Sequence, residues 1–532
     1  MSKEAAGSAL DEVWRKLGPF GKYTVVNYAL LLIPCYLYGM YGSVYNFEAM
    51  DINYRCEIPE CEGANEAIWL EYAIPKENNK FERCKRFQYN GTDKCEVSGF
   101  STIVVGCDSY VYSDEDSVVK DFNLGCQNWK RTLIGTMYGA GFFISLPITG
   151  ILSDQFGRIK AMAVASFLCG ICGVIRSFST SYIMLIATEF LETALGAGAY
   201  NAAFVFAMEL VQPKGRVFGN TLINFAYICG TMTLSLLAWY LQNWRYLLRC
   251  IYTPAILVIS YLFFLNENPR WLLCKGRYED ALSVINKAEK WNNIKLPEDL
   301  LTSLRSESDV KNKKEENEDK ETLISVLKEV IRSKTIASRL MLCCYLWVTC
   351  SFTYYGLSIN SVFLAGNRYL NFLLVVFVEI PANAICLLVL DRFGRKKVLV
   401  IVYMLSAIFC MSLSFIPKET SIWPLLLYLG GKFSITIAYS TVYVTVSEVF
   451  PTNARQSLLA FCATTGRVGS TLAPQTPLLA LYYHNLPTIF FGSVALLASA
   501  LALTLPETIN VTLPDNIEEA KQMSKLKQAA KD

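Results

Sequence analysis

The chain has 532 residues, of which 53% are hydrophobic and only 18% charged, and its formal net charge is +3. Soluble proteins carry charge on about a quarter of their residues. The apolar excess is gathered into stretches of about 20 residues, the length that crosses a bilayer core as a helix, so an ordinary soluble enzyme is excluded and the small net charge gives no argument for a nucleic-acid partner.

Residues 1–22 are polar and mixed in charge, so no removable signal peptide is expected there. The first span is expected at 23–45, with no charge and no small-residue cleavage site. Further spans are expected near 132–153, 160–178, 182–205, 217–241, 245–265, 336–357, 369–390, 398–416, 424–447, 457–480 and 486–505. Twelve spans put both termini on one side. The short loops holding Arg158 and Lys160, Lys214 and Arg216, Arg392 to Lys397, and Arg455 are basic, whereas the alternate loops carry isolated residues such as Arg368 and Lys418. Basic loops stay in the cytosol, so both termini, 1–22 and 506–532, are expected there.

Two long loops interrupt the spans. The first, 46–131, is expected outside and holds Cys56, Cys61, Cys84, Cys95, Cys107 and Cys126. Six cysteines in an oxidising compartment predict three disulfides, with fifteen pairings open to spacing alone. Asn90-Gly91-Thr92 is a glycosylation acceptor there, while Asn510-Val511-Thr512 falls in the cytosolic tail and is expected to be unused. The other twelve cysteines read as packing residues. The second loop, 266–335, is expected to be a cytosolic linker, its charged run at 311–320 a solvated face. It separates membrane helices 132–265 from 336–505.

The two halves repeat each other. Asp154-Gln155-Phe156-Gly157-Arg158 matches Asp391-Arg392-Phe393-Gly394-Arg395, and Glu209, Pro213 and Arg216 match Glu448, Pro451 and Arg455, about 240 residues later. Such duplication predicts a transporter with its substrate site between the halves. Glycine permits the tight turn. The charged residues are expected to form two clusters, Asp154, Arg158, Glu209 and Arg216 in one and Asp391, Arg395, Glu448 and Arg455 in the other, that hold the cytosolic side shut in one state. Simple anchoring of topology by arginine is the alternative.

Gly150-Ile151-Leu152-Ser153-Asp154-Gln155-Phe156-Gly157-Arg158 resembles the loop 2–3 signature of the major facilitator superfamily. Asn268-Pro269-Arg270-Trp271-Leu272 and Leu505-Pro506-Glu507-Thr508 resemble motifs of its sugar-porter and organic-ion branches. The cysteine-rich loop, Asp11-Glu12-Val13, Leu17-Gly18 and Tyr345-Leu346-Trp347 are similar to solute carrier family 22, the organic cation, anion and carnitine transporters, in the style of invertebrate organic cation transporter-like members. The paired glutamines of sugar porters are missing from span seven, where Cys350-Ser351-Phe352-Thr353-Tyr354-Tyr355-Gly356 stands. The resemblance covers nearly the whole chain. It implies an all-α membrane protein with twelve helices in two pseudo-symmetric six-helix halves, a disulfide-bonded extracellular loop domain, and pairs Cys56–Cys107, Cys61–Cys95 and Cys84–Cys126. It implies a monomer in the plasma membrane that carries a small organic ion and needs no cofactor.

Ionisable residues inside a membrane are costly and mark sites. Four stand out: Glu189 and Glu192 in span four, Glu379 in span eight and Arg467 in span eleven. Arg467 is expected to be the one fixed positive charge at mid-membrane. Resemblance implies arginine at that position in the anion and carnitine branches and aspartate in cation transporters, so Arg467 argues for a carboxylate on the substrate. Glu189 and Glu192 stand where the family often has arginine and glutamine, which adds negative charge suited to an amine. Together these imply a zwitterion or an amine-bearing derivative, carnitine-, β-alanine- or biogenic-amine-conjugate-like. The alternative is that the charges satisfy one another, Glu189 or Glu379 pairing with Arg467, or that a carboxyl is protonated. Family positions lining the cavity match Tyr200, Asn224, Tyr227, Trp347, Tyr354, Tyr439 and Ser440, and aromatic faces attract alkylammonium groups. An enzyme would need a nucleophile or metal cluster, yet His484 is the only histidine, and no Gly-rich nucleotide motif occurs. Transport is therefore expected to be secondary or facilitative. An organic anion carrier, a sugar-porter-like carrier and a receptor on a transporter scaffold remain as alternatives.

Overall fold

The structure, a computed structural model, describes residues 9–18, 21–62, 66–77, 80–91, 95–211, 215–301, 304, 332–416, 422–451 and 454–509. The charged run 311–320, Thr92 of the loop sequon, the tail sequon 510–512 and the side chains of Arg216 and Asp391 lie outside the described residues.

Ten helical stretches among the described residues are long and apolar enough to cross a membrane. They are α1 (Lys22–Glu48), α2 (Asn128–Phe156), α3 (Arg158–Arg176), α4 (Tyr182–Leu210), α5 (Phe218–Leu241), α6 (Trp244–Phe264), α7 (Lys334–Phe363), α8 (Arg368–Leu390), α9 (Arg395–Phe415) and α10 (Trp423–Val449). A helix is the form an apolar chain takes in lipid, because it satisfies every backbone polar group internally. Two more helices, α11 (Arg455–Leu472) and α12 (Leu486–Ala502), stand at the last two expected spans. They fall short of the other ten because α11 is rich in Thr, Gly and Arg and α12 has only 17 residues.

The helices pack in matched pairs. In the first half α1 lies on α5, α2 on α4 and α3 on α6; in the second α7 lies on α11, α8 on α10 and α9 on α12. Among the contacts that cross between halves, α2 with α11 and α5 with α8 also correspond under the repeat. The buried apolar residues form one cluster drawn mainly from the first half and another from 336–505. Without a hydrophobic drive between helices in lipid, close backbone approach takes its place. A Cβ at Gly39 would collide with the Tyr227 carbonyl, and one at Gly230 with that of Tyr36, so α1 and α5 meet backbone to backbone.

The loop between α1 and α2 is a small folded unit. Its disulfides are Cys56–Cys107, Cys61–Cys95 and Cys84–Cys126, the pairs the family resemblance implies. The expectation of an all-α chain misses its three two-stranded sheets, among them Tyr54–Cys56 with Tyr110–Tyr112 and Lys85–Tyr89 with Phe100–Gly106. Strands this short carry little apolar alternation and depend on the disulfides for a core of Ile58, Cys61, Trp69, Ala73 and Ile74. Arg55 donates to both Glu62 oxygens at 2.6 and 2.8 Å, which holds that carboxyl below the usual carboxylate range. Asn90 is exposed.

Candidate functional site

A cavity of about 50 Å³ lies where α1, α2, α5, α7 and α11 converge between the halves. A single water needs roughly 10–15 Å³ on the same scale, so the space holds a few waters and is too tight for an organic ion in this conformation. Its walls include Tyr38 and Asn46 of α1, Tyr138 and Phe142 of α2, Tyr227 of α5, Tyr355 of α7 and Arg467 of α11. The end nearest the disulfide loop is closed by bonds between halves. Thr132 donates to Gln475 at 3.0 Å, Gln475 donates to Thr136 at 2.6 Å, and Ser235 donates to the Tyr369 carbonyl at 2.8 Å. Arg368 pairs with Glu115 of the loop at 3.2 Å.

The Arg467 guanidinium sits 4.5 Å from the centre of the Phe142 ring, and no carboxylate among the described residues lies within ion-pairing distance of it. Tyrosine hydroxyls and aromatic faces surround it, so it is left able to receive an anionic group. Of the residues expected to bind substrate, Arg467 and Tyr227 line the cavity. Tyr200 forms a layer behind it, stacked on Tyr38 with centroids 4.9 Å apart. Trp347 packs edge-on against Tyr439 at 5.5 Å, and Tyr439 against Tyr354 at 5.5 Å, so these three make an aromatic block beside the cavity. Ser440 donates to Asn383 at 3.2 Å, and Asn224 contacts Asn220 at 3.4 Å. Tyr38, Tyr138, Phe142 and Tyr355 line the cavity and were not expected; their only sequence signal is an aromatic within an apolar span.

The three intramembrane carboxylates do not face Arg467. Two other cations hold them, so the expectation of a single fixed positive charge at mid-membrane is wrong. Arg176 of α3, fully buried, pairs with Glu189, with Glu192 at 2.7 Å and with Glu48 at 3.4 Å. It also donates to Tyr252 at 3.0 Å, which donates in turn to Glu192 at 2.6 Å. In the second half Lys432 of α10 pairs with Glu379 at 3.0 Å and donates to Ser358 at 2.7 Å, while Tyr354 donates to Glu379 at 2.7 Å. Arg176 lies inside the expected span 160–178 and Lys432 inside the expected span 424–447, and a charge within a span is the sequence signal for each.

At the end opposite the loop, each half holds a second charged site. Arg158 pairs with Asp154 at 2.7 Å and Glu209 at 3.5 Å and donates to the Ser153 carbonyl at 2.9 Å. Arg395 pairs with Glu448 at 3.1 Å and donates to the Leu390 carbonyl at 3.2 Å. Each arginine follows a glycine of positive φ, Gly157 at +107° and Gly394 at +87°. Two residues absent from the expected clusters complete them. Glu267 accepts from the Arg158 backbone N–H at 3.0 Å, and Glu507 from that of Arg395 at 2.9 Å, each a carboxylate at a helix N-terminus. Asn268 then donates to Glu209 at 2.7 Å and Thr508 to Glu448 at 2.5 Å. Burial pushes the Glu267 carboxyl up against the pull of those N–H groups. Repeat spacing is the signal that finds these residues, since Glu267 and Glu507 stand as far apart as the other matched pairs. Arg455 begins α11.

Two matched helical halves closing on a polar-centred cavity define a membrane transporter of the major facilitator fold. An inward-open structure of the xylose transporter XylE from E. coli overlays with a TM-score of 0.61, over 92% of this chain and 98% of that one, at 15% identity. The model of the sugar (and other) transporter family matches residues 33–520, and the chain belongs to that family. Its relatives there are solute carrier family 22 transporters. It is 30% identical to the organic cation transporter protein of Drosophila melanogaster, over 97% of this chain and 95% of the relative. It is 27% identical to the human organic cation/carnitine transporter 2, over 97% of this chain and 95% of the relative.

Proposed function

We propose that this protein carries small carboxylate-bearing organic ions, zwitterions with an ammonium group foremost, across the plasma membrane by alternating access. The observation that carries this reading is Arg467, a guanidinium in the cavity between the halves with no carboxylate partner among the described residues. A substrate carboxylate would gain paired charge-assisted hydrogen bonds from its planar fork. The rings of Tyr38, Tyr138 and Tyr227 would face an alkylammonium group, an attraction of roughly 0.5–2 kcal/mol per contact. Relatives named for organic cations and for carnitine are in keeping with such a substrate. In this reading α11 and α12 complete twelve spans, the disulfide loop lies outside with a glycan on Asn90, both termini are cytosolic, and the working unit is a monomer. The Arg158 and Arg395 sites then lie at the cytosolic face, where Asp154, Glu209 and Glu448, with Arg216, Asp391 and Arg455, rearrange as the halves rock.

Uptake of labelled carnitine and β-alanine into proteoliposomes, with their amides as competitors, tests this. Carboxylates should compete and amides should not, and Arg467→Ala should erase the difference while surface expression holds. A well-folded Arg467→Ala that still prefers carboxylates over amides would overturn the assignment. A second reading, a carrier of plain organic anions, is favoured by the pairing of Glu189, Glu192 and Glu379 with protein cations, which leaves no free negative charge among them for an amine. Competition by simple monocarboxylates as strong as by zwitterions would select it.

A further inference from the structure

The Arg176 site holds more acid than it has base to balance. Glu48, Glu189 and Glu192 are each at most 1% exposed, and among the described residues Arg176 is the one cation paired with all three. The groups facing it from the packed elements are Glu48 and Tyr41 of α1, Tyr138 of α2, Cys169 and Cys172 of α3, Glu189 and Glu192 of α4 and Tyr252 of α6. None of these adds positive charge. Arg245 and Arg249 of α6 are turned to Ser177 and Asp121 instead. Glu189 and Glu192 lie closest to the guanidinium, and Glu192 also receives the Tyr252 hydroxyl. Glu48 is different. It is completely buried, neither of its oxygens receives a hydrogen bond, and Arg176 stands 3.4 Å away. A buried carboxylate left in this way neutralises by taking a proton.

Glu48 also sits beside a moving part. Phe47 stacks on Tyr369 of α8 with centroids 5.6 Å apart and meets Phe372 edge-on at 5.1 Å, a contact between the halves at the closed, loop-side end. Asn46 lines the cavity. The Ser117 hydroxyl donates to the Glu48 and Met50 carbonyls at 3.3 and 2.8 Å, fixing this segment to the disulfide loop. Separation of the halves at that end would take Phe47, the residue next to Glu48, from its partners.

We propose that Glu48 is a proton-binding site coupled to transport: it takes up a proton while the loop-side end is open, and closure of that end requires it to be protonated. The step is the transfer of one proton from water to a carboxylate oxygen, giving a neutral acid, and its reversal on reopening. Closing over an ionised Glu48 would bury a third carboxylate against one guanidinium; closing over the acid does not. The proposal rests on the chain being a transporter and not on which ion it carries.

Infrared difference spectra of the full-length protein in liposomes, titrated from about pH 5 to about pH 9, read the site without any substrate. Wild type should show a protonated-carboxyl stretching band that Glu48→Gln removes. Carnitine and β-alanine uptake, with a pH-sensitive dye inside the vesicles, reads the coupling. Wild-type uptake should fall severalfold as the loop-side pH rises across that range and should move protons; Glu48→Gln should flatten the profile and abolish proton movement. The amide resembles the neutral acid, so the variant should fold, whereas Glu48→Asp should keep a pH-dependent band. Absence of the band in wild type, its survival in Glu48→Gln, or collapse of Glu48→Gln with normal folding of Glu48→Asp would overturn the proposal. Uptake that follows sodium and ignores pH would overturn it equally. If neither probe is carried, the infrared arm alone decides.

Discussion

Arg158 and Arg395 are held almost identically, each behind a positive-φ glycine, each donating to a carbonyl five residues back, each with a carboxylate on its own backbone N–H. At membrane depth the halves part company. The first half buries one arginine with three glutamates and a tyrosine, the second one lysine with one glutamate, a tyrosine and a serine. The excess of acid in one half is a chemical asymmetry laid on a symmetric frame.

The largest expected effect breaks the buried comparison. Arg176→Met leaves three acids without their cation, and removing one partner of a buried pair costs about 3–5 kcal/mol, so folded protein at the surface should fall to near background. Lys432→Met leaves a single acid, and Lys432→Met with Glu379→Gln should recover most of the loss. Thermal unfolding of detergent-purified variants checks both; equal damage from Arg176→Met and Lys432→Met would erase the asymmetry. Next, Arg467→Lys should weaken carboxylate uptake by about tenfold, equivalent to about 1.4 kcal/mol, with fold intact, since it lacks the planar fork. Arg467→Asp should abolish zwitterion uptake and admit simple cations.

The turn glycines sharpen the other side of the comparison. Gly157→Ala and Gly394→Ala each force a side chain into an extended positive-φ position that only glycine adopts readily, and against Glu267 or Glu507, at a cost of about 1–3 kcal/mol from the backbone alone. The two should lower turnover to a similar degree; a marked difference in initial rates would show that the ends are not equivalent. The smallest effect is expected from Asp154→Asn. Asp154 is 74% exposed, and an exposed ion pair is worth about 0–1 kcal/mol, so turnover should slow by a few-fold with probe affinity unchanged in binding assays.

Most of the frame is legible in the residues. Apolar stretches locate most of the long apolar helices to within a few residues, and the Asp-x-Phe-Gly-Arg repeats locate both turns. The site is legible only in part. Arg467 is found as an ionisable residue inside an expected span, and Tyr227 as a position the family resemblance supplies. Glu189, Glu192 and Glu379 are found as buried charges but assigned to substrate, because one-dimensional spacing does not say which helix supplies the counter-charge. That information lies in the packing of α3 against α4 and of α8 against α10, which brings Arg176 and Lys432 to these acids. Glu48 is the extreme case, since it lies past the expected end of the first span yet is wholly inside the protein.

The disulfide loop is fastened to both sides of the machine. Its chain is continuous with α1 and α2, and Glu115 and the Asp51 carbonyl hold Arg368 at the start of α8. An antibody or nanobody fragment that recognises the loop together with the start of α8 would see an epitope that exists only while these surfaces are in register. With the loop outside, as proposed, such a reagent would count molecules by conformation at an intact cell surface, and at saturation it would act as a brake, holding the carrier in one half of its cycle without touching the cavity.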